Sequence, residues 1–439
     1  LEAFFDMKKA IGVMERPPAL QSMLLSLQHL FAMFGSTVLV PNLLGVDPAI
    51  CLLMNGVGTL LYLWVCNNKI PAYLGSSFAF LAPAGAVIGD HAAGGGNYAA
   101  ALGGFIVSGV IFTIVALIIQ AAGTGWINVL FPPAAMGAIV AIIGLELVPV
   151  AAGMAGWIPQ SFEDPATWVM NPKVVVLSTV TLAITVLGSV LFRGFMRIIP
   201  ILFGIVAGYI LAYCMGFTDF SGVSASGIVQ LPQFTLPEFQ WTAIIAIAPA
   251  SLVVIAEHIG HLVVTGNIVD KDLSKDPGLH RSMLGNGIST ILSGFVGSTP
   301  NTTYGENIGV LAITKVYSTF VIGGAALIAI VLSFSGKFSA LISGIPPAVM
   351  GGVSLLLFGV IAASGFRMLV ESKVDYSKPT NLFLTTVVLV TGLSGVTLSI
   401  GDFHLSGMAL ATVIAILLSL LFKIFDVLKL SNDHESAGH

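Results

Sequence analysis

Apolar runs of roughly twenty residues follow one another from residue 18 to residue 427. Short polar stretches rich in Gly, Pro, Lys and Arg separate them. A run of that length crosses a hydrocarbon core of about 30 Å as a helix. The pattern predicts fourteen membrane segments: 18–41, 48–66, 73–88, 97–121, 129–150, 173–192, 196–216, 241–268, 280–295, 297–312, 316–335, 340–364, 379–398 and 404–427. Two of them make poor helices. The third opens on YLGSSFAF (73–80) and the tenth on GSTPNTTYG (297–305), both short, small and polar. Non-helical backbone survives at membrane depth only where it is buried in protein or lines a cavity.

Composition agrees with a membrane solvent. Only 9% of the residues are charged and 56% are hydrophobic, with 49 Gly, whereas soluble domains carry about 25% charged residues. The distribution of charge then tests the map. With the N-terminus placed in the cytoplasm, Lys8, Lys9, Arg16, Lys69, Arg193, Arg197, Lys271, Lys275, Arg281, Lys315, Arg367, Lys373, Lys378, Lys423 and Lys429 all fall inside. That is 15 of the 17 basic residues; Lys173 and Lys337 fall outside. One missed span would reverse every later loop and destroy this bias. Both termini are therefore expected in the cytoplasm. Residues 1–6 (LEAFFD) precede a candidate start at Met7 and read as appended sequence, and no cleavable signal is seen. Cys51, Cys66 and Cys214 lie in or at the ends of apolar runs and read as small packing residues. A nucleic-acid partner is not expected.

The chain also repeats itself. Gln28-His29-Leu30 returns as Glu257-His258-Ile259, NGVGTLL (55–61) as NGISTIL (286–292), Gly75-Ser76-Ser77 as Gly297-Ser298-Thr299, and PPAAMG (132–137) as PPAVMG (346–351). The four matches keep their order at nearly constant offset. Each half holds seven spans, so the second copy enters from the opposite side. Inverted repeats of this kind are an architecture of secondary transporters, with the site near the midplane at broken segments. Segments three and ten are equivalent, so they should meet there. Their free backbone groups must bond each other, as a short strand pair, or a solute.

Apart from Asp426 at the very end of the last span, three acids lie within predicted spans: Glu146, Glu257 and Glu306. An acid at a helix centre costs about 2.5–3.5 kcal/mol on insertion scales, which singles these residues out. Glu257 and His261, four apart, share a helix face, and His258 is turned about 100° away. Glu306 follows the broken segment directly. The two acids Glu257 and Glu306 are taken as the contributions of mirrored halves to one dry pocket at mid-bilayer. His258 reads as structural, Glu146 as structural or snorkelling, and Gln28 and His29 as packing and site support. Two carboxyls beside exposed amides suit a ligand that both donates and accepts hydrogen bonds, such as a planar cyclic amide. A metal lacks a fourth ligand beyond EHIGH. An anion exchanger would want a basic residue at the midplane, where the map places no Lys or Arg. A channel fits an occluded site poorly. The HxxxH, HExxH and GxSxG patterns of enzymes are absent.

ENIGVLAITK (306–315) matches the signature of the nucleobase–ascorbate transporters: Gln, Glu or Pro, then Asn-x-Gly, four residues, Thr, and Lys, Arg or Gly. QH at 28–29 also matches, and AEHIGH (256–261) with GSTPNTTYGENIG (297–309) resembles the bacterial uracil permease branch. The resemblance runs from about residue 10 to 428. It implies an all-α polytopic membrane protein of two inverted seven-segment repeats, with strand-like breaks in segments 3 and 10. It implies a core domain (18–121 and 241–335, spans 1–4 and 8–11) and a gate domain (122–216 and 336–427, spans 5–7 and 12–14), usually as a homodimer in the bacterial cytoplasmic membrane. Glu257 and Glu306 would hold a pyrimidine by their side chains, the backbone of Phe78 and Gly305 would bond its carbonyls, and Tyr304 would line the pocket. His261, paired with Glu257, would couple protons, while Gln28, His29, Asn307 and Ser77 would support the site. The implied activity is proton-coupled uracil import by alternating access, with no cofactor beyond the proton and no enzymatic step. A purine or xanthine permease is the alternative within the family; purine-carrying relatives tend to have Gln at the position of Glu306.

Overall fold

The structure is a computed structural model. It describes residues 10–89, 97–160, 163–193, 196–197, 199–400 and 403–431, so Lys8, Lys9 and the stretch 1–6 lie outside the described residues. In chain order the helices are α1 (Ala19–Leu44), α2 (Pro48–Val65), α3 (Leu81–Ile88), α4 (Tyr98–Ala122), α5 (Gly125–Leu130), α6 (Pro133–Glu146), α7 (Val148–Met154), α8 (Pro172–Leu191), α9 (Pro200–Cys214), α10 (Ser221–Ala225), α11 (Trp241–Ile247) and α12 (Ala250–Val269). They continue with α13 (Leu279–Val296), α14 (Gly305–Thr314), α15 (Thr319–Ser333), α16 (Gly336–Ser343), α17 (Pro347–Glu371), α18 (Pro379–Leu393) and α19 (Gly407–Val427). Four short strands complete the chain: β1 (Leu74–Ser76), β2 (Asn301–Thr303), β3 (Thr397–Ile400) and β4 (Phe403–Ser406). Among the described residues eight helical stretches are long and apolar enough to cross a membrane, and further apolar helices such as α9 and α18 are shorter.

Burial ranks the helices. In α1, 78% of the most apolar window is buried, against 28% in α8. The first is therefore interior, whereas α8 shows lipid a face of Val176, Val180, Leu187 and Val190. Small residues set the close helix pairs. A Cβ on Gly287 would lie 2.9 Å from the Thr113 nitrogen and 3.0 Å from the Gly109 carbonyl oxygen, so α4 and α13 touch backbone to backbone. Between α6 and α17 a Cβ on Gly144 would lie 2.6 Å from the Ala362 nitrogen. The helices α1, α2, α4, α13 and α15 pack chiefly among themselves, as do α6, α8, α9 and α17, and α6, α18 and α19. Helix α12 touches α4, α13 and α14 on one side and α6 and α19 on the other.

The broken segments meet as predicted, in a strand pair. β1 and β2 are antiparallel, with Leu74 opposite Thr303, Gly75 opposite Thr302 and Ser76 opposite Asn301. An antiparallel pair carries a local two-fold, the relation an inverted repeat requires. That two-fold takes residue n to n + 227, so it equates Leu74–Ser76 with Asn301–Thr303. The sequence match of Gly75-Ser76-Ser77 with Gly297-Ser298-Thr299 is thereby corrected, because residues 297–299 precede β2 by a turn. Phe78 then corresponds to Gly305.

Several predicted boundaries move. The span expected over 340–364 begins inside α16, which lies at 90° to α15, and the crossing helix itself runs Pro347–Glu371. The spans expected over 379–398 and 404–427 give up their facing ends to the β3–β4 hairpin, in which Thr397 lies opposite Ser406. Cys51 and Cys66 are buried, as packing residues would be, but Cys214 at the end of α9 is exposed. Glu146 is structural: its Oε2 accepts the Met408 N–H at 2.9 Å at the start of α19. A Cβ at Gly407 would lie 2.6 Å from the Glu146 Cδ, so that residue must be small.

Candidate functional site

The strand pair positions everything around it. Ser77 N–H donates to the Pro300 carbonyl at 2.9 Å and Tyr304 N–H to the Tyr73 carbonyl at 3.0 Å, which extends the pairing on both sides. Beyond β1 the chain turns into a short 3-10 helix, Phe78–Phe80, and then α3; beyond β2 it enters α14 at Gly305. Two helical N-termini therefore start at the crossing, with the unpaired N–H groups of a first turn. Gly75 has no side chain, and the Tyr304 ring lies against it with the hydroxyl donating to the Ser76 carbonyl at 3.1 Å.

Helix α12 runs past this crossing. Thr302 Oγ1 donates to Glu257 Oε2 at 3.4 Å, and Thr303 Oγ1 shares a 3.0 Å hydrogen bond with His261 Nδ1. The other ring nitrogen of His261 approaches Gly305, whose Cβ would sit 3.3 Å from Nε2. Ser36 Oγ on α1 donates to Glu306 Oε1 at 2.5 Å. Glu257 and His261 are 9% and 8% exposed, and they open onto one cavity of about 300 Å³. Phe78, Tyr304, Gly305 and Glu306 line the same cavity. All six residues singled out for binding and coupling are thus brought together.

The expected support residues stand one layer back. Asn307 Nδ2 donates to the His29 carbonyl at 3.2 Å and lies 3.3 Å from its Nδ1. Ser77 is buried at the crossing and Gln28 is buried on α1. His258 faces away, as its position on the helix predicts. It bonds Ser282 Oγ at 2.7 Å, and that hydroxyl meets Tyr62 OH at 2.6 Å, which ties α12 to α13 and α2. One expectation is corrected: the two acids do not come from mirrored halves. Glu257 on α12 and Glu306 on α14 both belong to the second half; the first half lines the cavity with residues such as Ala32, Phe78 and Val140 and places Ser36 behind Glu306.

Sequence reasoning missed Ser36, Thr302, Thr303 and the far wall of the cavity, where Val140, Leu356, Val360 and Met368 stand. Ser36 falls seven residues after His29, two helical turns along one face, a spacing that could have flagged it. Arg197 and Arg367 also line the cavity. Arg197 precedes α9, and Arg367 sits near the end of α17 in an exposed pair with Glu371 at 2.6 Å. Among the described residues no group of three or more His, Cys, Asp or Glu is placed to hold a metal ion.

Comparison with known proteins places this geometry. The model of the Permease family matches residues 20–401. A protein named uracil permease from Paenibacillus larvae is 62% identical over 425 residues, covering 97% of this chain and 99% of its own. The uracil permease of Escherichia coli K12 is 61% identical over 422 residues, 96% of each chain. Among solved structures, the transmembrane domain of the cyanobacterial bicarbonate transporter BicA superposes with a TM-score of 0.64 at 16% identity, covering 92% of this chain and 97% of that one. This last likeness is one of fold. The chain belongs to the Permease family, and within it to the uracil permease branch of the nucleobase–ascorbate transporters.

Proposed function

We propose that this protein carries uracil across the bacterial cytoplasmic membrane together with protons, by alternating access. The observation that carries the reading is the convergence of Glu257, His261 and Glu306 with the Phe78 and Gly305 backbones on one cavity. The carboxyl side chains accept from the ring N–H groups, and the two helical N-termini donate to the ring carbonyls. Tyr304 closes one side of the pocket. Uracil is neutral near pH 7, so accumulation needs a second driving species, and the adjacent Glu257 and His261 can hold a proton whose presence alters ligand affinity. Relatives at 61–62% identity named uracil permease support the choice of base.

The moving parts are a core domain (18–121 and 241–335) that carries the site and a gate domain (122–216 and 336–427) that supplies the far wall. The packing preferences of the helices support this division. The cavity is lined by Ser189, Arg197, Val264, Ile313, Ser364 and Arg367, all near helix ends that adjoin basic loops. By the positive-inside rule that mouth faces the cytoplasm, with both termini on the same side. The working unit is a homodimer.

Uptake of radiolabelled uracil into proteoliposomes, with and without an imposed pH gradient, tests the reading. Accumulation only when the outside is acidic supports it; gradient-independent equilibration removes the proton. Unlabelled xanthine should compete poorly. Competition equal to that of unlabelled uracil would favour a broader nucleobase permease.

A further inference from the structure

Helices α1 and α14 lie in opposite halves of the chain, and side-chain hydrogen bonds at two levels fasten one to the other beside the cavity. Asn307 bonds His29 at one level and Ser36 bonds Glu306 at the next. Ser36 is fully buried. Buried hydroxyls on the other helices mostly turn back to the carbonyl one turn earlier. Ser108 does so to Gly104, Thr265 to His261 and Thr314 to Val310. Ser36 instead reaches a carboxylate 270 residues away, at 2.5 Å. The contact is made by the approach of two helices, not by the turn of α1 on which the hydroxyl sits.

We propose that Ser36 is a positioning residue for the transported base. By holding Oε1 of Glu306 it fixes the plane of the carboxyl group and leaves Oε2 as the acceptor that faces the cavity. A free carboxyl would rotate, and the ligand would have to freeze that rotation on binding. Ser36 lies outside the cavity lining, so its effect passes through Glu306 alone. This inference rests on the reading of Glu306 as a group that binds substrate.

Two measurements on the purified, reconstituted protein decide it. Ser36→Ala should raise the Kd and KM for uracil about tenfold, with a smaller change in maximal transport rate and a small fall in melting temperature. Ser36→Thr keeps the hydroxyl and should return affinity to within threefold of the parent. In the infrared spectrum of the ligand-free protein, the Glu306 carboxyl band is the one lost in Glu306→Gln. It should shift in Ser36→Ala and return in Ser36→Thr. Parent-like affinity in Ser36→Ala, or an unmoved band, overturns the proposal. If the parent fails to bind uracil, the functional reading falls, while the ligand-free band still reports whether Ser36 orients Glu306.

Discussion

Replacing Gly75 by Ala adds one carbon at the centre of the strand crossing. The new Cβ would overlap the Tyr304 ring and lie 2.5 Å from its hydroxyl oxygen. The ring is 2% exposed and cannot swing into open space. Relief must come from a shift of the ring, which breaks the hydrogen bond from Tyr304 to the Ser76 carbonyl, or from separation of the two strands. Overpacking a well-filled interior costs about 1–3 kcal/mol. A buried hydroxyl left without a partner costs about 1–3 kcal/mol more. The expected penalty is therefore roughly 2–6 kcal/mol, and it falls on the residues flanked by Phe78 and Gly305. If about 3 kcal/mol of it reaches the binding-competent geometry, uracil affinity drops by roughly a hundredfold. Calorimetric titration with uracil and a thermal melt in detergent would read the two effects. Tyr304→Phe supplies the control, since it deletes only the hydrogen bond and should cost about 1 kcal/mol. A Gly75→Ala protein that binds and melts like the parent, or a Tyr304→Phe protein as impaired as Gly75→Ala, would refute the packing described here.

Glu257→Gln should abolish uracil binding, because it replaces an acceptor oxygen by a donor at the ring N–H; equilibrium binding to the purified variant is the check. His261→Ala should lower accumulation under a pH gradient more than it lowers equilibrium binding, and Thr303→Val, which removes the partner of His261 Nδ1, should follow it in the same direction. Asp47 caps α2 through the Ala49 N–H at 2.9 Å and also accepts from Gln233 N–H and Ser339 Oγ; Asp47→Ala should cost about 1–2 kcal/mol from the cap alone, visible as a lower melting temperature. At the loop after α12, the Ser274 hydroxyl and then Lys275 hold the Asp272 carboxyl below its usual range. A depressed carboxyl stabilises above its unfolded value near 4 and loses that effect as pH falls, so hydrogen exchange across residues 270–276 should quicken only on the acid side.

Hydropathy and the repeat made the apolar runs and the strand crossing legible because each is a local or self-similar signal, whereas Phe78, Tyr304 and Gly305 came from the likeness of ENIGVLAITK and AEHIGH to a known family. A buried acid in an apolar run announces its cost in the sequence itself. What was lost had a different physical origin. The β3–β4 hairpin joins two four-residue strands between long apolar helices, too short for a period of two to stand out. The bend before α16 is held by the Ser335 cap on the Phe338 N–H and by backbone bonds to the distant Gly227 and Gln230, which no local pattern announces. Ser36 looks like any helical serine until its partner is known, and that partner is set by tertiary approach.

The strand register adds what the repeat motifs alone could not. With the offset of 227 at the crossing, Glu306 corresponds to Ala79; with the offset of 229 along α1 and α12, His261 corresponds to Ala32 and Glu257 to Gln28. At two of these three positions the first half has Ala where the second half carries an imidazole or an acid; at the third, Gln28 stands for Glu257. Ala32 lines the cavity, and Ala79 is fully buried behind it. A second imidazole at position 32 would enter the cavity, and an acid at the buried position 79 would carry its charge into the interior, which costs several kcal/mol per ion unless it is paired. The repeat builds the strand pair and the two helical N-termini beside it, and the departure from it at Ala32 keeps the cavity open on the side of the first half.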